Sequence, residues 1–260
     1  MNGLLQEESW LLAEKYGNVP CVAYERDRSR LAKGEPLGYV IGSVPFLNCT
    51  FDLSLRPHIP RPETEFWTEQ MVKHLRDDSR EHIRCLDMFA GSGCIGVAVL
   101  AHLPRVTVTF ADVSVRCVRQ IKKNIEQNTI EASRAEVIRS DLFSGLNGCR
   151  YDYIFANPPY LSRKGRHRID SAVLSYEPHL SLFAGDNGLS LIRRFLEEAG
   201  DHLVPGGMIV MEFDDIQRDM VQKIAHYYGF MHADFQKDQY GLWRFVWLQR
   251  EMISGTISAT

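Results

Sequence analysis

The chain has 260 residues, 45% of them apolar and 24% charged, and a formal net charge of −3. These figures suit a soluble globular protein and exclude the global basic field of a dedicated nucleic-acid binder. No apolar run approaches the ~20 residues of a membrane span, the start of the chain has no signal-like apolar stretch, and the six scattered cysteines include no C-x-x-C pair. A cytoplasmic protein with reduced thiols, no membrane partner and no metal is the expectation.

Residues 1–34 read as two short helices, a small helical segment ahead of the main domain. Leu4, Leu5, Leu11, Leu12 and Tyr16 give the first an apolar side, and Gly17-Asn-Val-Pro20 ends it. Residues 22–33 carry Arg26, Arg28, Arg30 and Lys33 among Val22, Tyr24 and Leu31, a cluster read as a solvated helix face rather than a docking patch. Residues 35–62 read as a β-hairpin linker, with strands at Tyr39–Phe46 and Phe51–Leu55 around Asn48-Cys-Thr50. Two prolines stiffen Ile59-Pro-Arg-Pro-Glu-Thr-Glu65, and Thr64 is a candidate cap for a helix over Phe66, Trp67, Met71, Val72 and Leu75.

The main domain is expected over residues 63–252. Strands at Ile83–Phe89, Val106–Phe110, Ala135–Ser140, Tyr151–Ala156 and Gly207–Phe213 alternate with helices at Cys94–Leu103, Val113–Gln127, Leu189–Leu203 and Ile216–Tyr228. His232–Lys237 and Leu242–Gln249 follow, joined by too few residues for a parallel crossover. The alternation predicts an α/β fold: a Rossmann-like, mostly parallel seven-stranded sheet with an antiparallel C-terminal strand. The small, polar tail at 253–260 is expected to be disordered.

Two motifs sit at predicted strand ends. The run Tyr151–Ala156 stops at Asn157-Pro-Pro-Tyr160, where Pro158 and Pro159 forbid a continuing strand. Asn157's carboxamide oxygen and the Pro158 carbonyl offer two acceptors, and Tyr160 a flat face, which together suit an amide or an exocyclic amine. The second motif is Asp87-Met-Phe-Ala-Gly-Ser-Gly-Cys-Ile-Gly96, whose glycines let the backbone turn tightly against a ligand. Its G-x-G-x-x-G spacing, with Asp112 ending the next strand to take ribose hydroxyls, is shared with dinucleotide proteins. Asp87 separates the cases, since a carboxylate there suits a cofactor with an ammonium group and repels a pyrophosphate. Asp141, followed by Leu142 and Phe143, is placed for the edge and face of an adenine. The set points to an adenosyl-sulfonium cofactor. No histidine is assigned to catalysis; His58, His167 and His179 read as surface or structural.

Gly91-Ser-Gly93, Asp112, Asp141 and Asn157–Tyr160 together resemble the class I S-adenosyl-L-methionine-dependent methyltransferases that alkylate amide or amino nitrogens. The flanks narrow this. Glu35-Pro-Leu-Gly-Tyr-Val-Ile-Gly42, Ile59–Glu65, Tyr176–Gly185 and Gly188-Leu-Ser-Leu-Ile192 are similar to the release-factor glutamine N(5)-methyltransferases, and Arg61-Pro-Glu-Thr64 distinguishes them from sister enzymes that act on a ribosomal-protein glutamine. The resemblance implies S-adenosyl-L-methionine held by Asp87, Phe89, Ala90, Gly91, Ser92, Gly93, Asp112, Asp141, Leu142 and Asn157. It implies a glutamine held by Asn157, Pro158, Pro159 and Tyr160 with Arg61 nearby, Asn157, Pro158 and Tyr160 being catalytic. The partner implied is a class 1 peptide chain release factor, methylated on its Gly-Gly-Gln loop by a monomeric enzyme. The alternatives are a glutamine methyltransferase acting on a ribosomal protein and a nucleic-acid amino-methyltransferase acting on adenine N6 or guanine N2. The second would need a basic grip on its substrate. That grip would have to come from Ser162–Arg168 alone, which makes nucleic acid the less favoured partner. Relative to the family, the helical segment is short, Leu142 replaces a common aromatic and Phe213 a common histidine.

Overall fold

The computed structural model describes residues 2–161, 171–179, 182, 183, 185 and 188–250. Helices α1 (Asn2–Tyr16) and α2 (Val22–Ala32) pack against each other. Asp27 on α2 is buried, and Lys15 Nζ, Tyr16 Oη and Arg30 Nη1 surround its carboxylate at 2.7, 2.8 and 3.0 Å. Burial pushes its carboxyl up, but these donors outweigh that and hold it at about 2. Arg28 pairs with Glu8 and Glu25, and Arg30 also with Glu35, so much of the arginine cluster is neutralised within its own segment.

Leu37–Ile41 is a short helix, α3, not the start of a strand. Pro36 occupies its N-cap, and Gly42, at φ +101°, closes it in the left-handed conformation that glycine adopts without strain. The hairpin is correspondingly shorter: β1 (Ser43–Phe46) and β2 (Cys49–Asp52) pair through a two-residue turn at Leu47-Asn48, both with positive φ. It packs into the main core through Phe46 and Phe51. Three amides one helical turn apart on α6 (Val115–Gln127) and just beyond it hold its edge. Gln120 Oε1, Asn124 Oδ1 and Asn128 Oδ1 accept the amides of Leu55, Asp52 and Thr50.

Helix α4 (Pro62–Asp77) starts earlier than a cap at Thr64 allows. Pro62 takes the first helical position, where a missing N–H is harmless, so Arg61 is the N-cap residue and Thr64 lies inside the first turn. Then come β3 (Ile83–Met88), α5 (Cys94–His102), β4 (Val106–Asp112), β5 (Ala135–Arg139), β6 (Tyr151–Ala156), α7 (Ser171–Tyr176), α8 (Ser190–Ala199), β7 (Leu203–Glu212), α9 (Arg218–Tyr227), β8 (His232–Lys237) and β9 (Trp243–Gln249). The seven strands run β5-β4-β3-β6-β7-β9-β8, all parallel except β9, which is antiparallel to both neighbours. Strand β7 begins at Leu203, four residues before the predicted start, because Pro205-Gly206-Gly207 is absorbed by an irregularity against β6.

Period-two alternation divides the core. Cys85, Phe110 and Phe155 face α4, α5 and the hairpin, whereas Leu86, Ile154 and Met211 face α8 and α9. No helix among the described residues is long and apolar enough to cross a membrane. The basic run Ser162–Arg168, His167 and the tail 253–260 lie outside the described residues.

Candidate active site

In-register parallel pairing sets the site. Met88 lies opposite Ala111 and Ala156, Ala111 opposite Ile138, and Ala156 opposite Met211. The residues that follow this row, Phe89, Asp112, Asn157 and Glu212, therefore emerge together from the carboxyl edge of the sheet. Strand order reverses between β3 and β6, the crevice where open α/β sheets take ligands.

On the β3–β4 side, backbone amides hold the carboxylates. Asp112 Oδ2 accepts the Gly91 amide at 2.9 Å and Oδ1 the Ser114 amide at 2.8 Å. Asp87 is fully buried; its Oδ2 accepts the Gly96 amide at 2.9 Å, and its Oδ1 has no partner among the described residues. Burial raises the Asp87 carboxyl to about 7, the Gly96 amide pulling it down and the Asp112 charge adding to the rise. Burial likewise raises Asp112, against its two amides. Ala90 and Ser92 are buried in the turn, and Gly91 and Gly93 have φ of +57° and +80°. A Cβ on Gly96 would lie 2.3 Å from the Phe110 ring, so glycine lets α5 close onto β4. Phe89 and Leu142 also have positive φ, +60° and +51°, a strain that non-glycine residues keep where the surroundings impose it. Phe89 packs on Phe195, and Leu142 is buried beside Phe143. Asp141 projects outward, its carboxylate 3.4 Å from Arg194.

On the β6–β7 side, side chains from distant segments converge. Asn157 Nδ2 donates to Thr64 Oγ1 at 3.2 Å, and Thr64 Oγ1 donates to Glu212 Oε2 at 2.7 Å. Trp67 Nε1 donates to the same oxygen at 2.7 Å, and Tyr160 Oη to Oε1 at 3.0 Å. Pro158 and Pro159 are buried, and no donor among the described residues reaches Asn157 Oδ1 or the Pro158 carbonyl. Gln217 Nε2 donates to the Tyr160 carbonyl at 2.9 Å, and a Cβ on Gly188 would lie 2.0 Å from that oxygen, so Gly188 is required for the approach.

Arg61 is tied to Glu177, whose buried carboxylate also lies 2.6 Å from His58 Nδ1 and accepts the Ile59 amide at 3.3 Å. Burial pushes Glu177 up, but His58 and Arg61 outweigh it and leave the carboxyl below its ordinary value. This cluster pins the end of α7 to the proline-rich segment, which gives His58 a structural place. His179 bonds the Leu174 carbonyl.

Asp87, Phe89–Gly93, Asp112 and Asn157–Tyr160 thus share one crevice, with Leu142 behind it and Asp141 and Arg61 on the periphery. The sequence reading missed Glu212 and mistook Thr64. A charged residue ending the apolar run Met208–Met211 is the signal for Glu212, because a buried charge demands donors.

The described residues fit an S-adenosyl-L-methionine: an unpartnered buried carboxylate oxygen for its ammonium group, a second carboxylate on a tight glycine turn for its ribose, and apolar side chains for its base. Residues 63–175 match the "Methyltransferase small domain" family. The release factor glutamine methyltransferase of Thermodesulfovibrio yellowstonii is 32% identical over 221 residues, 85% of this chain and 78% of that protein. That of Flavobacterium psychrophilum is 30% identical over 231 residues, 87% of this chain and 80% of that protein. Among solved structures, a Thermus thermophilus 16S rRNA methyltransferase in complex with AdoMet and guanosine shares the fold, with a TM-score of 0.57 at 16% identity over 80% of this chain and 50% of that one. The protein is an S-adenosyl-L-methionine-dependent methyltransferase. By its similarity to curated relatives along most of its length, the chain belongs to the release factor glutamine methyltransferase family.

Proposed function

We propose that the protein methylates the side-chain amide nitrogen of the glutamine in the Gly-Gly-Gln motif of class 1 peptide chain release factors. The observation that carries this reading is the rigid Asn157-Pro-Pro-Tyr160 turn, with Asn157 Oδ1 and the Pro158 carbonyl free of donors among the described residues, beside the half-buried Tyr160 ring. A carboxamide NH2 has two hydrogens to give, and these are two acceptors on one stiff turn. The relatives, themselves release factor glutamine methyltransferases, support the substrate class.

When bound, S-adenosyl-L-methionine supplies an electrophilic methyl group on a sulfonium. Asp87, Asp112 and the turn Phe89–Gly93 are proposed to hold it, with Leu142 against its base. An amide nitrogen is a poor nucleophile because its lone pair is delocalised into the carbonyl. By accepting both N–H groups, Asn157 Oδ1 and the Pro158 carbonyl turn the nitrogen out of conjugation and fix its direction of attack. Positioning of this kind supplies on the order of 7–11 kcal/mol in the best cases. The same acceptors stabilise the positive charge that grows on nitrogen. Tyr160 packs against the amide plane, Pro159 keeps the turn rigid, and Arg61 shapes the wall through Glu177.

The test is transfer of labelled methyl from S-adenosyl-L-methionine to a purified class 1 release factor, beside its Gly-Gly-Gln Gln→Ala variant. Label on the unaltered factor alone is the expected result. Label on both or neither, with the cofactor still bound, sinks the reading, and nucleic acid and ribosomal protein become the acceptors to try.

A further inference from the structure

Asn157 can turn either end of its carboxamide toward a substrate, and only the oxygen accepts a hydrogen bond. We infer that Glu212, acting through Thr64, is a positioning residue that fixes which end of Asn157 faces the reacting nitrogen; this deepens, and rests on, the role proposed above for Asn157.

Glu212 ends β7 and is 1% exposed, and the pairing of Ala156 with Met211 places it beside Asn157. A carboxylate only accepts and an indole N–H only donates, so Trp67 fixes one partner of Glu212 Oε2 unambiguously. Tyr160 donates to Oε1 and keeps its proton, since burial and the Glu212 charge raise its hydroxyl well above the ordinary value. The Thr64 hydroxyl has a single proton, and at 2.7 Å that proton goes to Glu212 Oε2. Toward Asn157 the Thr64 oxygen can then only accept, so the 3.2 Å contact belongs to Nδ2. Asn157 Oδ1 is left pointing away from α4 and into the crevice. Thr68 Oγ1, bonded to the Thr64 carbonyl at 2.7 Å, steadies the first turn of α4 that carries the relay.

The negative charge is the operative feature. A neutral glutamine at 212 brings donors of its own, so the Thr64 proton is free to swing to Asn157 Oδ1. The carboxamide then flips and presents its NH2 group to the N–H groups of the substrate nitrogen, where donor faces donor. One carboxylate also holds both ends of the turn, Asn157 through Thr64 and Tyr160 directly, so the acceptor and the stacking ring move as a unit.

Thr64→Val keeps the shape of the side chain and removes its hydroxyl. It is expected to lower kcat for release-factor methylation by roughly 10- to 100-fold. The dissociation constant for S-adenosyl-L-methionine should stay close to wild type, the unfolding midpoint should fall by a few degrees because the buried Glu212 carboxylate loses one donor, and Thr64→Ser should restore both turnover and midpoint. Glu212→Gln should lose turnover in the same way.

The readout that a merely structural role leaves unmoved is the Asn157 side-chain NH2 pair in an amide nitrogen-15 spectrum. In wild type and Thr64→Ser it should be protected from exchange with water; in Thr64→Val the protection should be lost. If wild type transfers no methyl to a release factor while this protection still follows the Thr64 hydroxyl, the substrate reading fails and the positioning role stands. Wild-type turnover in Thr64→Val, or unchanged protection of the Asn157 pair, overturns the inference.

Discussion

The two halves of the crevice are built from opposite materials. On the β3–β4 side, each carboxylate takes backbone amides no more than 21 residues away in the chain: Gly96 for Asp87, and Gly91 and Ser114 for Asp112. On the β6–β7 side, the contacts are between side chains 52 to 148 residues apart. A backbone donor survives most substitutions of the residue that carries it, whereas a side-chain donor disappears with a single change. The end proposed for the cofactor is therefore robust and locally encoded. The end proposed for the substrate rests on contacts between distant segments and is open to adjustment.

A pair of substitutions tests whether the two halves are separable. Asn157→Ala removes one proposed acceptor of developing charge, and losses of that type run to about 10²–10³ in kcat. The affinity for S-adenosyl-L-methionine, measured by calorimetry, should change by less than about threefold, because the Thr64–Glu212 bond remains intact. Asp112→Ala should do the reverse. It strips the acceptor from two fixed amides and removes the proposed ribose contact, so it should weaken cofactor binding by roughly 10- to 100-fold, while kcat at saturating cofactor changes less. Parallel losses of both parameters in both variants would mean that the halves are not separable.

The same contrast decides what was legible in the sequence. The fold was, because alternation of apolar strands and amphipathic helices is a local signal, and so were Asp87, the glycine turn and Asp112, whose spacing along the chain is their geometry. Asn157–Tyr160 was legible because two prolines punctuate a strand. Glu212 and Thr64 were not. Threonine at a helix start reads as a cap by propensity, and the tertiary fold gives it other partners, Glu212 at a strand end 148 residues away and Asn157. Leu37–Ile41 failed for the converse reason. Val40 and Ile41 are β-prone, but Pro36 and the left-handed Gly42 leave room for one helical turn, and burial of Tyr39 and Val40 stabilises it.

Burial raises the Asp87 carboxyl from 3.8 to about 7, which makes cofactor binding depend on pH. A carboxyl raised on folding favours the fold in its protonated form, so its contribution is full below about pH 4 and is lost as pH rises toward 7. A cofactor ammonium beside Oδ1 favours the carboxylate instead, so binding drives the proton off. Affinity for S-adenosyl-L-methionine should therefore strengthen as pH rises to about 7, by at most tenfold per pH unit, and level off above it. Asp87→Asn should bind more weakly and flatten the profile. Calorimetry in buffers of different ionisation heat should find a proton released on binding near pH 6 by wild type only. A flat wild-type profile would mean that Asp87 does not meet the ammonium group.

The smallest effect is expected at Asp141, and it bears most finely on the contrast. Its side chain is 60% exposed and its partner Arg194 stands 3.4 Å away. Exposed pairs of this kind are worth about 0–1 kcal/mol, so their loss scarcely disturbs the fold. If the cofactor end is held by backbone amides and buried carboxylates, Asp141→Ala should weaken cofactor binding by less than about fivefold, and Arg194→Ala should not weaken it at all. An Asp141→Ala loss as large as that of Asp112→Ala would instead show an exposed side chain deciding adenine recognition. In that case Arg194 competes with the base for the carboxylate, and Arg194→Ala should tighten binding. The cofactor end would then share the dependence on single side chains that marks the β6–β7 side, and its robustness would be confined to the glycine turn.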